Sequence, residues 1–380
     1  MSDILYFCAL ENATNNNIHK NQIKPLLDKN ELLKCLFITP IFEISRNRIG
    51  MIKLEKSTER VKYHPSPFPS FLFFCPIIFF PLVYIYCCIV LLLHVYNRNY
   101  SFIHCRNTLS ASIAIPISKI FRLQVLCDVR GLYPDEGVII GRWRFGSLSY
   151  NFFGLLEKIT FMYSDHVSAV SPELCNYIRR KVPSAEPLYI PAIVHKQQFY
   201  FSPQLRNETR EILGVDRSSY CLIYVGTIGA WHTKKNIIAA ILDFMNQNNV
   251  KKESLSIIIL SKNTAGLVED LTKLAGKVIC EIVAPTEVNK FLNAADFGLL
   301  PGLQITNKAE ENVLRTMISS KAEEYLVCGL GVLTHPAIKF FEAIDKRYLE
   351  QEGRKSRSSY YSKEFSIEAV LKKYEILYGS

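Results

Sequence analysis

Short apolar runs rich in branched residues recur along the chain, and stretches with helical spacing separate them. In the first half the strand-like runs lie at residues 4–8, 36–38, 101–104, 125–127 and 166–169, with helical stretches around 18–29, 110–120 and 150–163. Strands that are apolar on both faces suit a parallel sheet covered by helices on each side. Ser171-Pro172 marks a helix start, with serine as the cap and proline at the first helical position. The pattern pauses at Tyr189-Ile190-Pro191-Ala192, and a charged stretch at 205–213 ends at Gly214. Alternation then resumes: strands at 221–225, 255–260, 278–282, 297–300 and 332–334, and helices at 237–245, 267–274, from 286, and at 321–328. The tail, 365–378, also reads as helix. Two successive βαβ sets with a break between them predict an α/β protein of two Rossmann-like domains, at residues 1–190 and 191–350.

The chain has 380 residues, and at ~150 residues per domain that agrees with two domains. Hydrophobic residues make up 49% and charged residues 21%, which excludes a disordered polymer. The net charge of +10 is uneven: 21 Lys/Arg against 14 Asp/Glu up to residue 190, and 24 against 21 beyond it. A basic first half suits a polyanionic partner, whether nucleotide phosphate, anionic membrane or nucleic acid. No aromatic-basic stacking motif supports nucleic acid. The 11 cysteines contain no CxxC and no spaced Cys/His set, so no metal is expected. Met1-Ser2-Asp3 lacks a basic leader region, and the expectation is a cytoplasmic protein with reduced thiols. GxGxxG is absent, and Ser147 stands where a Walker-type loop needs lysine, which argues against a dehydrogenase or P-loop enzyme.

One segment strains the soluble reading. Residues 63–97 contain no Asp, Glu, Lys or Arg, and 71–96 are long and apolar enough to cross a bilayer. Pro76 and Pro81 interrupt the run. The reading is a core helix or a membrane-surface patch, with a true span the less favoured option, so the protein is expected to be peripheral on the inner face of the membrane.

Several blocks carry chemistry. Ser320 and Glu323 have capping-box spacing at the head of the 321–328 helix, Lys321 adds charge to an anion-binding helix start, and Glu324 follows. On the residues alone this is also an ordinary capped surface helix. His104 and Arg106 end one predicted strand, and Asp128 and Arg130 end the next. Carboxyl strand ends face the ligand crevice of open α/β sheets. Against a functional role, His104 suits a satisfied core histidine, and Asp128 and Arg130 suit a simple pair. Gly226-Thr227-Ile228-Gly229 forms a turn, with Trp231, His232 and Lys235 after it. Lys235 suits a phosphate contact or plain solvation equally.

The segment from Lys321 resembles the K-x-x-E-Y-L-A-C-G-x-P-V-I signature of retaining nucleotide-sugar glycosyltransferases with the GT-B fold (group 1, family 4-like). Lys321, Glu324, Tyr325, Leu326, Cys328, Gly329 and Val332 match it, with Ser319 just ahead. In the same order, Ile103-His104-Cys105-Arg106 resembles the family's I-H-x-R strand end, and 128–136 its D-x-R-G-x-x-x-D-E. Val167–Ser171 is similar to its V-x-x-V-S, 223–231 to its first C-domain strand and glycine turn, and Ala295-Asp296-Phe297-Gly298-Leu299 to its A-D-x-G-L.

The resemblance implies two Rossmann-like domains facing each other across a cleft, with a tail helix (355–380) packed back on the first. It implies transfer with retention from a nucleotide-sugar to a hydroxyl, without metal or other cofactor. The acceptor is expected to be a glycan or lipid-linked glycan in surface polysaccharide assembly. The implied catalytic side is His104, Arg106, Asp128 and Arg130. The implied donor side is Gly229, Lys235, Ser319, Ser320, Lys321 and Glu324, with an N-terminal loop at Asn16 and Asn17. Three positions depart from the family: Thr316 replaces the first member of a Glu-x7-Glu pair, Gly331 replaces a proline, and Asn15-Asn16-Asn17 replaces a glycine-rich loop. A nucleotide-sugar epimerase of the same fold and a non-catalytic, membrane-associated sugar-binding protein are the alternative readings.

Overall fold

The computed structural model describes residues 3–9, 23–40, 60–66, 76–96, 98–229, 231–316, 319–335 and 350–379. The chain divides into two compact units, Met1–Pro191 with Leu371–Ser380, and Ala192–Val370. Each is built on a parallel sheet, and the described connections cross over through helices.

In the first unit the described elements are β1 (Asp3–Ala9), α1 (Lys24–Lys29), β2 (Leu33–Pro40), β3 (Val61–Ser66), α2 (Pro76–Tyr96), β4 (Tyr100–Cys105), α3 (Thr108–Phe121) and β5 (Gln124–Val129). They are followed by α4 (Tyr133–Ile139), α5 (Leu148–Tyr163), β6 (His166–Ala169), α6 (Pro172–Lys181) and β7 (Leu188–Tyr189). The strand order is β3-β2-β1-β4-β5-β6-β7. Phe7 pairs with Cys105, and Cys105 with Cys127, so β1 and β5 run side by side with β4 and end two residues beyond it. The two strands that sequence periodicity misses are β3 and β7. VKYHPS carries Lys62, His64 and Pro65 and no apolar run; it is tolerated because β3 is an edge strand. β7 is only two residues long. Ser171 caps α6, its side chain accepting from the Leu174 amide at 2.9 Å, and Pro172 opens the helix.

The second unit continues with α7 (Pro203–Leu213), β8 (Tyr220–Val225), α8 (Lys234–Asn248), β9 (Leu255–Leu260), α9 (Leu267–Leu274), β10 (Lys277–Glu281), α10 (Val288–Ala294) and β11 (Phe297–Leu300). It is completed by α11 (Lys308–Thr316), α12 (Ser320–Val327), β12 (Gly331–Thr334) and α13 (Gln351–Glu364). The order is β10-β9-β8-β11-β12. One core joins Cys221, Ile223 and Ile258 to Leu292 of α10 and Tyr325 of α12, and the other joins Leu222, Ile257 and Ile259 to Ile241 of α8 and Leu271 of α9. The sheet is thus covered on both sides, as its unbroken apolar strands require. Two glycines fit this packing by size. A Cβ on Gly298 would strike the Tyr325 ring, and one on Gly331 would strike the Phe297 ring. The latter accounts for glycine at the position where the family has proline. The helical tail is two helices, α13 and α14 (Ile367–Tyr378), rather than one, with the break at Phe365 and Ser366.

Asp296, directly before β11, accepts the Cys221 amide at 2.8 Å. Its carboxylate also meets Arg206 at 2.6 Å, Arg210 at 2.8 Å and Arg354 at 3.4 Å. The same guanidiniums donate to the Asn293, Ala294 and Ala295 carbonyls at the end of α10, where a helix favours cations. Removing one partner of a buried ion cluster costs ~3–5 kcal/mol. Asp296→Ala is therefore expected to destabilise the second unit by that amount. Hydrogen-exchange mass spectrometry in rising urea should show early loss of protection in β8 and β11, with β4 and β5 unaffected.

Candidate functional site

In an open α/β sheet the crevice opens at the carboxyl ends of the strands where the order reverses. In the second unit that point lies between β8 and β11. Here β8 ends at Val225 and the chain turns at Gly226, whose φ of +122° is a conformation few other residues adopt. An added Cβ at Gly226 would lie 2.5 Å from Lys321 Nζ, so the amine rests directly on the turn. Nζ also stands 5.2 Å from the centre of the Tyr224 ring, within cation–π range. The Tyr224 hydroxyl donates to the Thr227 carbonyl at 2.8 Å. Gly229 and His232 exchange backbone hydrogen bonds at 3.0 and 3.1 Å, which pinches the loop and sets the imidazole edge-on to Tyr224 at 5.8 Å. His232 is buried, and its Nδ1 has no hydrogen-bond partner.

Lys321 is held there by α12. Ser319 caps this helix, its hydroxyl accepting from the Lys321 amide at 3.4 Å. The expected capping box of Ser320 and Glu323 does not form. Ser320 is the first helical residue, and Glu323 Oε1 instead accepts the Ala192 amide at 3.0 Å. The Tyr325 hydroxyl accepts from the Val225 amide at 3.2 Å and ties α12 to the end of β8. Glu324 follows Lys321 by three residues and so shares its side of the helix. Burial pushes its carboxyl up to about 7, with Lys321 opposing the shift. Burial also lowers the Lys321 amine, against the pull of Glu324. Burial, and then Lys321, bring His232 down to about 4, so the imidazole is neutral at ordinary pH. An ammonium, a helix N-terminus and a tight glycine turn form a seat for an anion, and Glu324 offers two acceptor oxygens beside it.

The remaining donor-side residues are spread wider. The turn residue that touches Lys321 is Gly226, whereas Gly229 is exposed with open space above it. Lys235 is exposed in the first turn of α8 and lines a separate hollow with Asn236, Pro301, Gln304 and Thr334. Thr316 is buried and donates within its own helix to the Asn312 carbonyl at 2.8 Å. Asn16 and Asn17 lie outside the described residues.

In the first unit, His104, Arg106, Asp128 and Arg130 gather at the carboxyl ends of β4 and β5, and all but Arg130 are fully or almost fully buried. Asp128 accepts Arg130 Nε at 2.8 Å, the Ser168 hydroxyl at 2.7 Å and the Tyr374 hydroxyl at 3.2 Å. Arg130 also donates to the Tyr374 hydroxyl at 2.5 Å. His104 Nδ1 shares a hydrogen bond with the Tyr378 hydroxyl at 2.7 Å, and Nε2 lies 3.5 Å from Asp128. Burial raises the Asp128 carboxyl, but Arg130, His104 and Ser168 outweigh it and hold the group well below the usual carboxylate range. Burial lowers His104, and Asp128 offsets this only in part. Arg106 is close enough for its charge to act on Tyr6, His104 and Tyr374. Sequence reasoning missed the two tyrosines; their i, i+4 spacing on a helical tail was the available signal.

No family model and no curated protein matches the sequence. Solved structures do match. Sucrose-phosphate synthase from Thermosynechococcus elongatus has a TM-score of 0.63 at 15% identity, over 99% of this chain and 98% of that one. HepE of Anabaena, solved with UDP, has a TM-score of 0.64 at 12% identity, covering both chains in full. WaaG, a glycosyltransferase involved in lipopolysaccharide biosynthesis, has a TM-score of 0.57 at 12% identity, over 99% of this chain and 100% of that one. These likenesses establish the fold: the chain is α/β with the GT-B architecture of two Rossmann-like domains.

Arg130→Ala would leave the buried Asp128 charge without its ion-pair partner, which should cost ~3–5 kcal/mol of stability. Tyr374→Phe removes two hydrogen bonds to charged groups, the one it donates to Asp128 and the one it accepts from Arg130, and should cost at least ~1.5–3 kcal/mol. Urea unfolding of the two variants checks both values. Wild-type stability in Arg130→Ala would show that the pair does not hold the unit together.

Proposed function

We propose that the protein is a glycosyltransferase that moves a sugar from a nucleoside diphosphate sugar to a hydroxyl acceptor. One observation carries this reading: Lys321, the Gly226 turn and Glu324 meet at the switch point of the second unit. A diphosphate needs positive charge and N–H donors, which Lys321 and the start of α12 supply. A ribose presents two neighbouring hydroxyls, and the Glu324 carboxylate has two oxygens to accept them. The structures of HepE with UDP and with UDP-glucose give the same ligand class in a chain of the same fold.

In the reaction we propose, Lys321 and the α12 amides meet the charge that grows on the departing diphosphate, so transfer proceeds without a metal. The family resemblance supports retention at the anomeric carbon. The basic, apolar first unit, and the likeness to WaaG of lipopolysaccharide biosynthesis and to the lipopolysaccharide outer core galactosyltransferase WaaB, support an acceptor that is a glycan or lipid-linked glycan. We place the reaction at the cytoplasmic face of the membrane.

Glu324 must be ionised to accept both hydroxyls, and burial holds its carboxyl near 7. Below that pH the free protein carries a proton that ribose binding disfavours. Nucleotide affinity should therefore rise as pH rises through about 7, while His232, near 4, stays neutral throughout. Hydrogen bonds to charged groups contribute ~1.5–3 kcal/mol, so Glu324→Gln should weaken binding roughly 10- to 150-fold and flatten the pH profile. Glu323→Gln should leave affinity nearly unchanged and act on stability through the Ala192 contact. Calorimetric titration with a panel of nucleoside diphosphate sugars checks this. Equal affinity in wild type and Glu324→Gln would remove the donor site from Glu324 and with it the main support for the transferase reading.

A further inference from the structure

We infer that Tyr224 is a positioning residue for Lys321: the face of its ring holds the ammonium on the Gly226 turn and leaves the N–H groups uncommitted for the donor diphosphate. This rests on the transferase reading and adds the group that orients its cation. Lys321 Nζ lies over the Tyr224 ring, 5.2 Å from its centre. Among the described residues Nζ makes no hydrogen bond and no ion pair, although the side chain is half-buried. Glu324 acts on the amine through its charge alone. A buried ammonium ordinarily collects carbonyls or a carboxylate, and each such bond spends one of its N–H groups. An aromatic face attracts the cation by its quadrupole and fixes no hydrogen bond. The amine is thus held in place with its donors unspent, which suits a group that must meet phosphate oxygens.

The ring is itself fixed. Tyr224 is fully buried as the last residue but one of β8. Its hydroxyl donates to the Thr227 carbonyl at 2.8 Å, which ties the ring to the same turn that the amine rests on. His232 closes another side, 5.8 Å away between ring centres and at 72° between planes. Burial and the Lys321 charge keep this imidazole neutral, so the ring carries a single cation. The next cations along the chain are engaged elsewhere. Lys234 Nζ donates to the Ala265 carbonyl, and Lys235 lines the hollow beside Pro301 and Thr334. A buried strand-end tyrosine that only packed would fill the same space as leucine. Positioning differs from packing in its dependence on the electron density of the ring face, which leucine lacks.

Calorimetric titration of the full chain with UDP and with uridine tests this. Lys321→Met is expected to weaken UDP and leave uridine unchanged, which checks the donor site itself. Tyr224→Phe keeps the ring and should hold both affinities near wild type. Tyr224→Leu should weaken UDP roughly threefold to tenfold and spare uridine. Phenylalanines bearing one, two and three fluorines in place of Tyr224 keep the shape and drain the ring face, so UDP affinity should fall stepwise along the series. The Lys321 amine, followed by the carbon-13 resonance of labelled lysine that Lys321→Met removes, should lose its proton at progressively lower pH in the same order, because the ring stabilises the charged form. An unchanged amine titration and UDP affinity across the fluorinated series would overturn the assignment, as would a Tyr224→Leu loss that falls equally on uridine. The amine titration needs no ligand, so the inference fails or holds by it even where UDP does not bind. Wild-type UDP affinity in Lys321→Met would instead remove the donor site, and the two failures are read separately.

Discussion

A carboxylate taken out of water must be met by cations or N–H groups. Asp296 finds three guanidiniums and the Cys221 amide, and the second unit is assembled around that requirement. Arg206 and Arg210 bring in α7, Arg354 brings in α13, and the amide bond fixes the start of β8 beside the start of β11. One side chain would not neutralise three positive charges, and the carbonyls at the end of α10 take the remainder. The first unit uses the same device on a smaller scale. Asp128 gathers Arg130, Ser168 and Tyr374, so the end of the chain is bound to strands laid down early in it.

α12 serves the fold and the site together. Tyr325 covers Gly298 and accepts the Val225 amide, Glu323 holds Ala192, and the rest of the helix fills the core. With those contacts fixed, Lys321 and Glu324 have little freedom, and the amine lies against a turn that only a glycine at Gly226 leaves open. Placing a lysine and a glutamate in a partly dry pocket shifts both toward their neutral forms. Such a site gains most when a ligand with complementary charge arrives.

The helices that cover the first sheet make a different compromise. A parallel sheet must be covered by helices, and α2 contributes a buried apolar stripe and packs against α3. Nothing in that requirement makes the outer stripe apolar as well, yet α2 is apolar around its whole circumference, and α5 exposes apolar residues alongside Asn151 and Lys158. Helices of that kind normally lie inside a protein or against lipid.

The alternation of apolar runs and helical spacing determined the two α/β units, because parallel strands buried on both faces leave no other pattern. The blocks at 128–136, 295–299 and 321–332 were legible too, since each sits at a strand end or helix start whose local rules are short-range. The edge strand β3 was not, because pairing on one side lets it carry Lys62, His64 and Pro65. Tertiary structure alone decided that Ser319 rather than Ser320 caps α12, that Gly226 rather than Gly229 receives Lys321, and that Glu323 reaches Ala192. It alone decided that Tyr374 and Tyr378 close over Asp128 and His104. Those partners lie hundreds of residues apart, and hydrophobic periodicity records which face of an element is buried, not which distant side chain completes a buried charge.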